Sequence, residues 1–133
     1  MAKRRRMPWL GWVVVLLALV EGGWLVFDGA HGLLTGDYVT PSSGARAGQL
    51  GPWSELFLAL GIDPRSTLVM SIHVGLGGTW LLALAAFVKR VPGSRLGLIV
   101  CAVLGLWYLP WGTLLSAIQL VLLTRRSLRE PGK

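Results

Sequence analysis

Three long apolar runs, separated by clusters of basic residues, most constrain what this chain can fold into. The first, residues 8 to 27, is about 20 positions long, which as a helix rising 1.5 Å per residue spans a hydrocarbon core of about 30 Å. The others cover residues 66 to 88 and 96 to 123. Only 14% of residues are charged, against about a quarter in soluble domains. We therefore expect an all-α membrane protein, a small polytopic helical bundle.

The third run is long for one membrane crossing and short for two. The sequence YLPWG lies at its centre, where Pro110 removes an interior helical hydrogen bond and Gly112 gives a permissive backbone. Two interpretations are open: one kinked helix, or a hairpin of two short helices.

Charge favours the hairpin. The segment from Asp28 to Arg65 holds four acids but only Arg46 and Arg65 as basic residues. The other basic residues flank the apolar runs: Lys3 to Arg6, Lys89, Arg90, Arg95, Arg125, Arg126, Arg129 and Lys133. Positive charge is enriched on the cytoplasmic side, so both termini and the 89–95 loop should be cytoplasmic, which requires an even number of crossings. The expected single domain, residues 1–133, has helices at about 8–30, 66–88, 95–108 and 111–128, and an outer loop at about 31–65.

Two further segments carry a local prediction. The N-terminus resembles a signal peptide, but Glu21 interrupts its apolar run and no clean cleavage site follows, so we expect a retained signal-anchor helix. Within the outer loop, residues 52 to 61 place Trp53, Leu56, Phe57 and Leu60 at helical spacing, with Ser54 and Glu55 facing away. This pattern predicts a short amphipathic helix, either lying on the outer membrane surface or packing on the bundle.

Polar side chains within the apolar runs are the candidate site. If Asp28 and Arg65 mark the outer boundary, Glu21 and His73 lie about 10 and 12 Å below it. Counted from Pro110, Gln119 and Cys101 each lie about 13 Å down. We expect Glu21 to contact His73, with Gln119 nearby. This polar layer is either a site for a proton or ligand, or a clasp that fixes the register of the helices.

Asp28 and His31 share roughly one helical face with Glu21. They indicate either an outer polar path for a proton or ion, or simply a helix end that is exposed to water. Haem ligation by His31 and His73 is a minor alternative, because the two residues differ in depth by about 12 Å. A metal site from Glu21, His73 and Asp28 is equally minor, and the expected cofactor set is empty. The single cysteine excludes an intrachain disulfide framework.

Small residues recur on the second apolar run at Ser71, Gly75 and Thr79. Such a row allows helix backbones to approach closely, either within the chain or against a partner's transmembrane helix. The segment WYLPWGTLLSAIQLVLL, residues 107 to 123, resembles the C-terminal Pro-x-Gly-Thr hairpin of small uncharacterised bacterial inner-membrane proteins. The resemblance implies a multi-pass protein of the bacterial cytoplasmic membrane and carries over no catalytic residues.

The sequence contains no phosphate-binding loop, dinucleotide fingerprint, HExxH, CxxC or nucleophile elbow. The leading hypothesis is therefore a non-catalytic accessory or assembly subunit of a larger membrane complex, with the lipid bilayer and other subunits as partners and no nucleic acid. The alternative is a small transporter or redox-linked protein that uses the Glu21 and His73 layer to bind a proton, ion, quinone or haem.

Overall fold

The computed structural model of the chain describes residues 6–108 and 110–129, and all its regular structure in this part of the chain is helical. Of the predicted flanking charges, Lys3, Arg4, Arg5 and Lys133 lie outside the described residues. An all-helical fold is thus confirmed. The helices are α1 (Trp9–Thr35), α2 (Trp53–Ala59), α3 (Thr67–Val88), α4 (Ser94–Leu104) and α5 (Trp111–Leu123), followed by a 3₁₀ turn at Arg126–Leu128.

Two helices, α1 and α3, are long and apolar enough to cross a membrane. Helix α1 ends at Gly36, whose positive φ of 92° lets its N–H bond the carbonyl of Gly32. It therefore continues about two turns beyond Asp28, which sequence reasoning had placed near its end. Helix α3 begins after Ser66, whose side chain accepts from the N–H of Val69.

Helices α4 and α5 form an antiparallel hairpin, as opposed to one kinked helix. Nε of Arg95, at the start of α4, donates to the carbonyl of Leu123, at the end of α5, over 2.7 Å. Both helices are shorter than predicted, because residues 105–108 form turns and α5 ends at Leu123. With 11 and 13 residues, each helix is shorter than the thickness of a hydrocarbon core, which is about 30 Å.

The closest packing joins α1 to α3, which run antiparallel. A Cβ at Gly77 would lie 2.6 Å from the carbonyl oxygen of Gly22, and one at Gly29 would lie 2.7 Å from Cβ of His73. Glycine is required at these positions because the two backbones touch. The contact also fixes the register, with Gly22 beside Gly77 and Gly29 beside His73.

Helix α2 packs on the other helices through Trp53, which is buried. The burial of its residues differs from the predicted amphipathic pattern. Ser54, which was expected to face away, is buried and donates to the carbonyl of Gly51, whereas Leu56 and Leu60 are exposed. Rings from α2 and from the turn after α4 meet, with the Trp53 and Phe57 centroids 5.8 and 5.3 Å from that of Trp107. Aromatic packing therefore anchors α2.

Candidate functional site

Glu21 lies at the centre of a buried polar cluster between α1 and α5. Oγ of Ser116 donates to Oε1 of Glu21, and Nε2 of Gln119 donates to Oε2, each over 2.7 Å. All three side chains are buried. Oε1 of Gln119 has no hydrogen-bond partner among the described residues. The structure thus brings Glu21 and Gln119 together, as predicted. Both hydrogen-bond partners of Glu21 come from α5.

The predicted contact between Glu21 and His73 is wrong. Because α1 extends to Thr35, Asp28 does not mark the same level as Arg65, and the two depth counts started from different heights. The α1–α3 register places His73 beside Gly29, eight residues and about 12 Å along α1 from Glu21. The two side chains therefore belong to different levels of the molecule.

His73 lies fully buried in an aromatic box. Its ring centroid is 5.0 Å from that of Tyr38, 4.7 Å from Trp53, 5.3 Å from Trp107 and 5.6 Å from Tyr108. Nδ1 lies 2.8 Å from the carbonyl oxygen of Val69, to which it donates, since a carbonyl only accepts. Nε2 then carries a lone pair, and it has no hydrogen-bond partner within residues 6–108 and 110–129.

Asp28 fastens the outer loop to the helices. Its Oδ1 accepts from the N–H of Val39 over 2.9 Å, and its Oδ2 accepts from the Tyr108 hydroxyl over 3.4 Å. The indole N–H of Trp24 donates to the same hydroxyl over 3.0 Å. Asp28 is therefore held by a loop amide and by the turn after α4.

His31 takes no part in this network. Its Nδ1 lies 2.8 Å from the carbonyl oxygen of Asp37, so it ties the end of α1 to the following loop. Asp28 and His31 thus both bind loop backbone, and no hydrogen bond among the described residues joins either of them to Glu21. A path through these residues stays a prediction.

A cavity of about 900 Å³ lies beside both carboxylates. Helix α1, the outer loop and the first turns of α5 form its walls, and it is partly open to the surroundings. The lining includes the buried Glu21 and Asp28 and the aromatic residues Trp24, Tyr38, Trp53, Tyr108 and Trp111. Ligand pockets typically have volumes of about 300 to 1,000 Å³. The cavity therefore has the size of a small-molecule site.

The charges around this cavity are unbalanced. Glu21, Asp28 and Glu55 line it with carboxylates, and Arg46 supplies one guanidinium at its exposed rim. Neither Glu21 nor Asp28 has an ion-pair partner in the described part of the chain. The ion pair found there joins Arg65 to Asp37, whose side chains are partly exposed to solvent. A cation or a proton is needed to compensate each buried negative charge.

Metal and haem chemistry find little support in this arrangement. The described residues contain no group of three or more His, Cys, Asp and Glu side chains that could hold a metal ion. His31 and His73 belong to separate networks, and neither lines the cavity. Cys101 is a free, buried thiol on α4. The polar side-chain groups in the lining of the cavity are carboxylates, tyrosine hydroxyls, indole N–H groups, the Gln49 amide and the Arg46 guanidinium.

The small-residue row on α3 faces away from the rest of the chain. Ser71, Gly75 and Thr79 are exposed, and a Cβ added at Gly75 would meet no atom within 4 Å. Packing within the chain uses Gly22, Gly29 and Gly77 instead. Of the two interpretations of the row, only contact with a partner's helix stays open.

Sequence reasoning missed three residues of the site. Ser116 is three residues before Gln119, and Trp24 lies three after Glu21 and four before Asp28, so helical spacing already placed them on the same faces. Tyr108 is 80 residues from Asp28 in the sequence, and only the fold shows that its hydroxyl reaches that carboxylate.

Comparison of the chain with models of protein families, with curated proteins and with solved structures gave no match. Its function is therefore argued from the geometry above.

Proposed function

We propose that this chain is a multi-pass membrane protein that binds a small molecule in the cavity between α1 and α5. The observation that carries the proposal is that two buried carboxylates, from Glu21 and Asp28, line a cavity of ligand size. A clasp that only fixed helix register would need the hydrogen bonds of Glu21 but no adjoining cavity. This proposal develops the transporter alternative and replaces its site, the Glu21 and His73 layer, with Glu21 and Asp28.

The proposed topology has four membrane segments, formed by α1, α3 and the α4–α5 hairpin, with both termini on the cytoplasmic side of a bacterial inner membrane. The two long apolar helices and the basic residues at one end support it. Because α4 and α5 are short, the hairpin spans the bilayer only with local thinning of the bilayer or the help of flanking residues.

Cavity occupancy is tested with a matched pair of tryptophan substitutions on α5. Leu115→Trp places a large ring in the cavity, whereas Leu114→Trp adds the same ring at a neighbouring exposed position outside the lining. The purified protein is screened with small organic cations, quinones and neutral amphiphiles by thermal shift. A ligand that stabilises the wild type and Leu114→Trp, but not Leu115→Trp, supports the proposal. The proposal would be contradicted if none of the screened compounds showed that pattern.

A second candidate is the accessory or assembly subunit, supported by the outward row of Ser71, Gly75 and Thr79. Membrane helices associate through such rows because small residues allow close backbone contact. Native mass spectrometry from mild detergent should then show a second membrane chain, lost in Gly75→Leu but kept in Ala85→Leu, which changes another exposed small residue of α3. A monomer in all three proteins would count against the subunit.

A further inference from the structure

We infer that the ligand of this cavity is an organic cation with an apolar, aromatic-sized body, and that Glu21 and Asp28 supply the compensating charge. The inference rests on the proposed function, because it names the class of molecule that the cavity takes. Three features of the described residues lead to it: the excess of carboxylates, the aromatic lining and the size of the space.

The charge balance selects a cation. Three carboxylates and one guanidinium line the cavity, and the two buried carboxylates have only neutral donors as partners among the described residues. Each carboxylate oxygen has two lone-pair directions, and the oxygens of Glu21 each use one with Ser116 or Gln119. Acceptor capacity therefore remains for a charged N–H donor, and the negative charge favours a quaternary cation as well.

The aromatic lining selects an organic cation over a small inorganic one. Five aromatic residues line the cavity, and two of them, Trp24 and Trp111, are themselves exposed: Trp24, Tyr38, Trp53, Tyr108 and Trp111. Rings attract cations through their negative faces and contact the apolar parts of a ligand at the same time. A space of about 900 Å³ is also much larger than a metal ion needs.

The same observations disfavour a quinone or a haem as occupant. A neutral quinone brings no positive charge, so both buried carboxyl groups would have to be compensated by protons alone. A haem needs an axial ligand. The lining of the cavity contains no histidine, cysteine or methionine, and the hydroxyls of its tyrosines, Tyr38 and Tyr108, donate to Pro64 and Asp28.

The position of the opening fits an amphipathic molecule. Val20, Trp24 and Trp111 line the cavity and are themselves exposed, so the apolar wall continues to the outer surface of α1 and α5. Arg46, which also lines the cavity, is exposed, whereas Glu21 and Asp28 are buried. A cation with an apolar body can therefore reach Glu21 along an apolar and aromatic wall.

The test compares a phenylalkyl trimethylammonium ion with its neutral isostere, in which carbon replaces nitrogen. Binding to the purified full chain is measured by titration calorimetry. The cation should bind about tenfold more tightly than the isostere, and Glu21→Gln and Asp28→Asn should each weaken only the cation by about tenfold. Asp63→Asn, which removes an exposed carboxylate outside the cavity, should leave both affinities within about twofold.

The outcomes separate this inference from the proposed function. Equal affinity of cation and isostere, with both lost in Leu115→Trp, would overturn the cation assignment and keep the cavity as a binding site. If neither these probes nor any quinone or neutral amphiphile responds to Leu115→Trp, both proposals fail. Thermal unfolding of each variant identifies any that does not fold, and Asp28→Asn replaces Glu21→Gln as the deciding variant where Glu21→Gln is unfolded.

Discussion

Nε2 of Gln119 donates a 2.7 Å hydrogen bond to Oε2 of Glu21, and this contact joins the first and last helices of the chain across 98 residues of sequence. With the bond from Ser116, it gives both oxygens of the carboxyl group a partner in the buried interior. Loss of one partner from a buried hydrogen bond typically costs about 1–3 kcal/mol, because the remaining group is left unsatisfied.

The first prediction follows from that contact. Glu21→Leu and Gln119→Leu should each lower the free energy of unfolding by about 1–3 kcal/mol, and the double variant should lose less than the sum. The coupling should be about 0.5–1.5 kcal/mol, as found for polar pairs between membrane helices. Unfolding in mixed detergent micelles measures it.

The control for this cycle is His73, which lies about two helical turns from Glu21 along the α1–α3 contact. Glu21→Leu combined with His73→Leu should be additive within about 0.5 kcal/mol, since distant residues without a shared partner seldom couple. Strong coupling of Glu21 with His73, and none with Gln119, would show that the carboxyl group has a different partner.

The helical segments were predictable because apolar length and charge clusters act locally. The break at Pro110 was also visible, since proline and glycine act on the backbone of their own neighbours. The depth of His73 relative to Glu21 was not predictable in the same way. It depends on the end of α1 at Thr35, seven residues past the expected boundary at Asp28, and on the contact of Gly22 with Gly77.

The cavity itself could not be read from the sequence. Its outer wall depends on a Gly-, Ser- and Pro-rich loop, which is held by the amide of Val39 on Asp28 and by the buried ring of Tyr38. A backbone N–H carries no residue-specific signal, and Tyr38 stands alone among small and polar residues. Periodicity therefore gave no reason to place this loop over Asp28.

The second prediction concerns the glycine contact between α1 and α3. Gly77→Ala should lower the free energy of unfolding by about 1–3 kcal/mol, because its Cβ would lie 2.6 Å from the carbonyl oxygen of Gly22 and the helices must separate. Gly78→Ala is the matched control, since a Cβ there meets no atom within 4 Å. It should be neutral or stabilising by up to about 1 kcal/mol. Equal effects of the two substitutions would contradict the helix register.

The third prediction uses the loop residue Tyr38. Its hydroxyl is buried and donates to the carbonyl of Pro64 over 2.7 Å. Burial, with the nearby charge of Asp28 adding to it, raises the pKa of Tyr38 above the ordinary value of about 10. The phenol should therefore stay protonated in the folded protein at a pH where a free tyrosine already ionises.

This pKa is directly measurable because the chain has only two tyrosines. In Tyr108→Phe, the ultraviolet signal of phenolate comes from Tyr38 alone, and it should rise clearly above pH 10 in the folded protein and near pH 10 after unfolding in denaturant. Ionisation of the folded protein near pH 10 would mean that the loop does not cover Tyr38 and that the outer wall of the cavity is open.

The last prediction tests the topology on which the membrane assignment depends. Ser43, in the outer loop, and Ser127, after α5, are both exposed and are replaced by cysteine one at a time after Cys101→Ala. In the four-segment topology, three crossings lie between the two positions, by α3 and by both arms of the hairpin, so the positions are on opposite faces of the membrane. A membrane-impermeant maleimide should therefore label Ser43→Cys in intact cells and Ser127→Cys only after permeabilisation. Labelling of both cysteines from the outside would mean that the α4–α5 hairpin does not cross the bilayer as two segments, and the apolar rim of the cavity would then need a neighbour other than lipid.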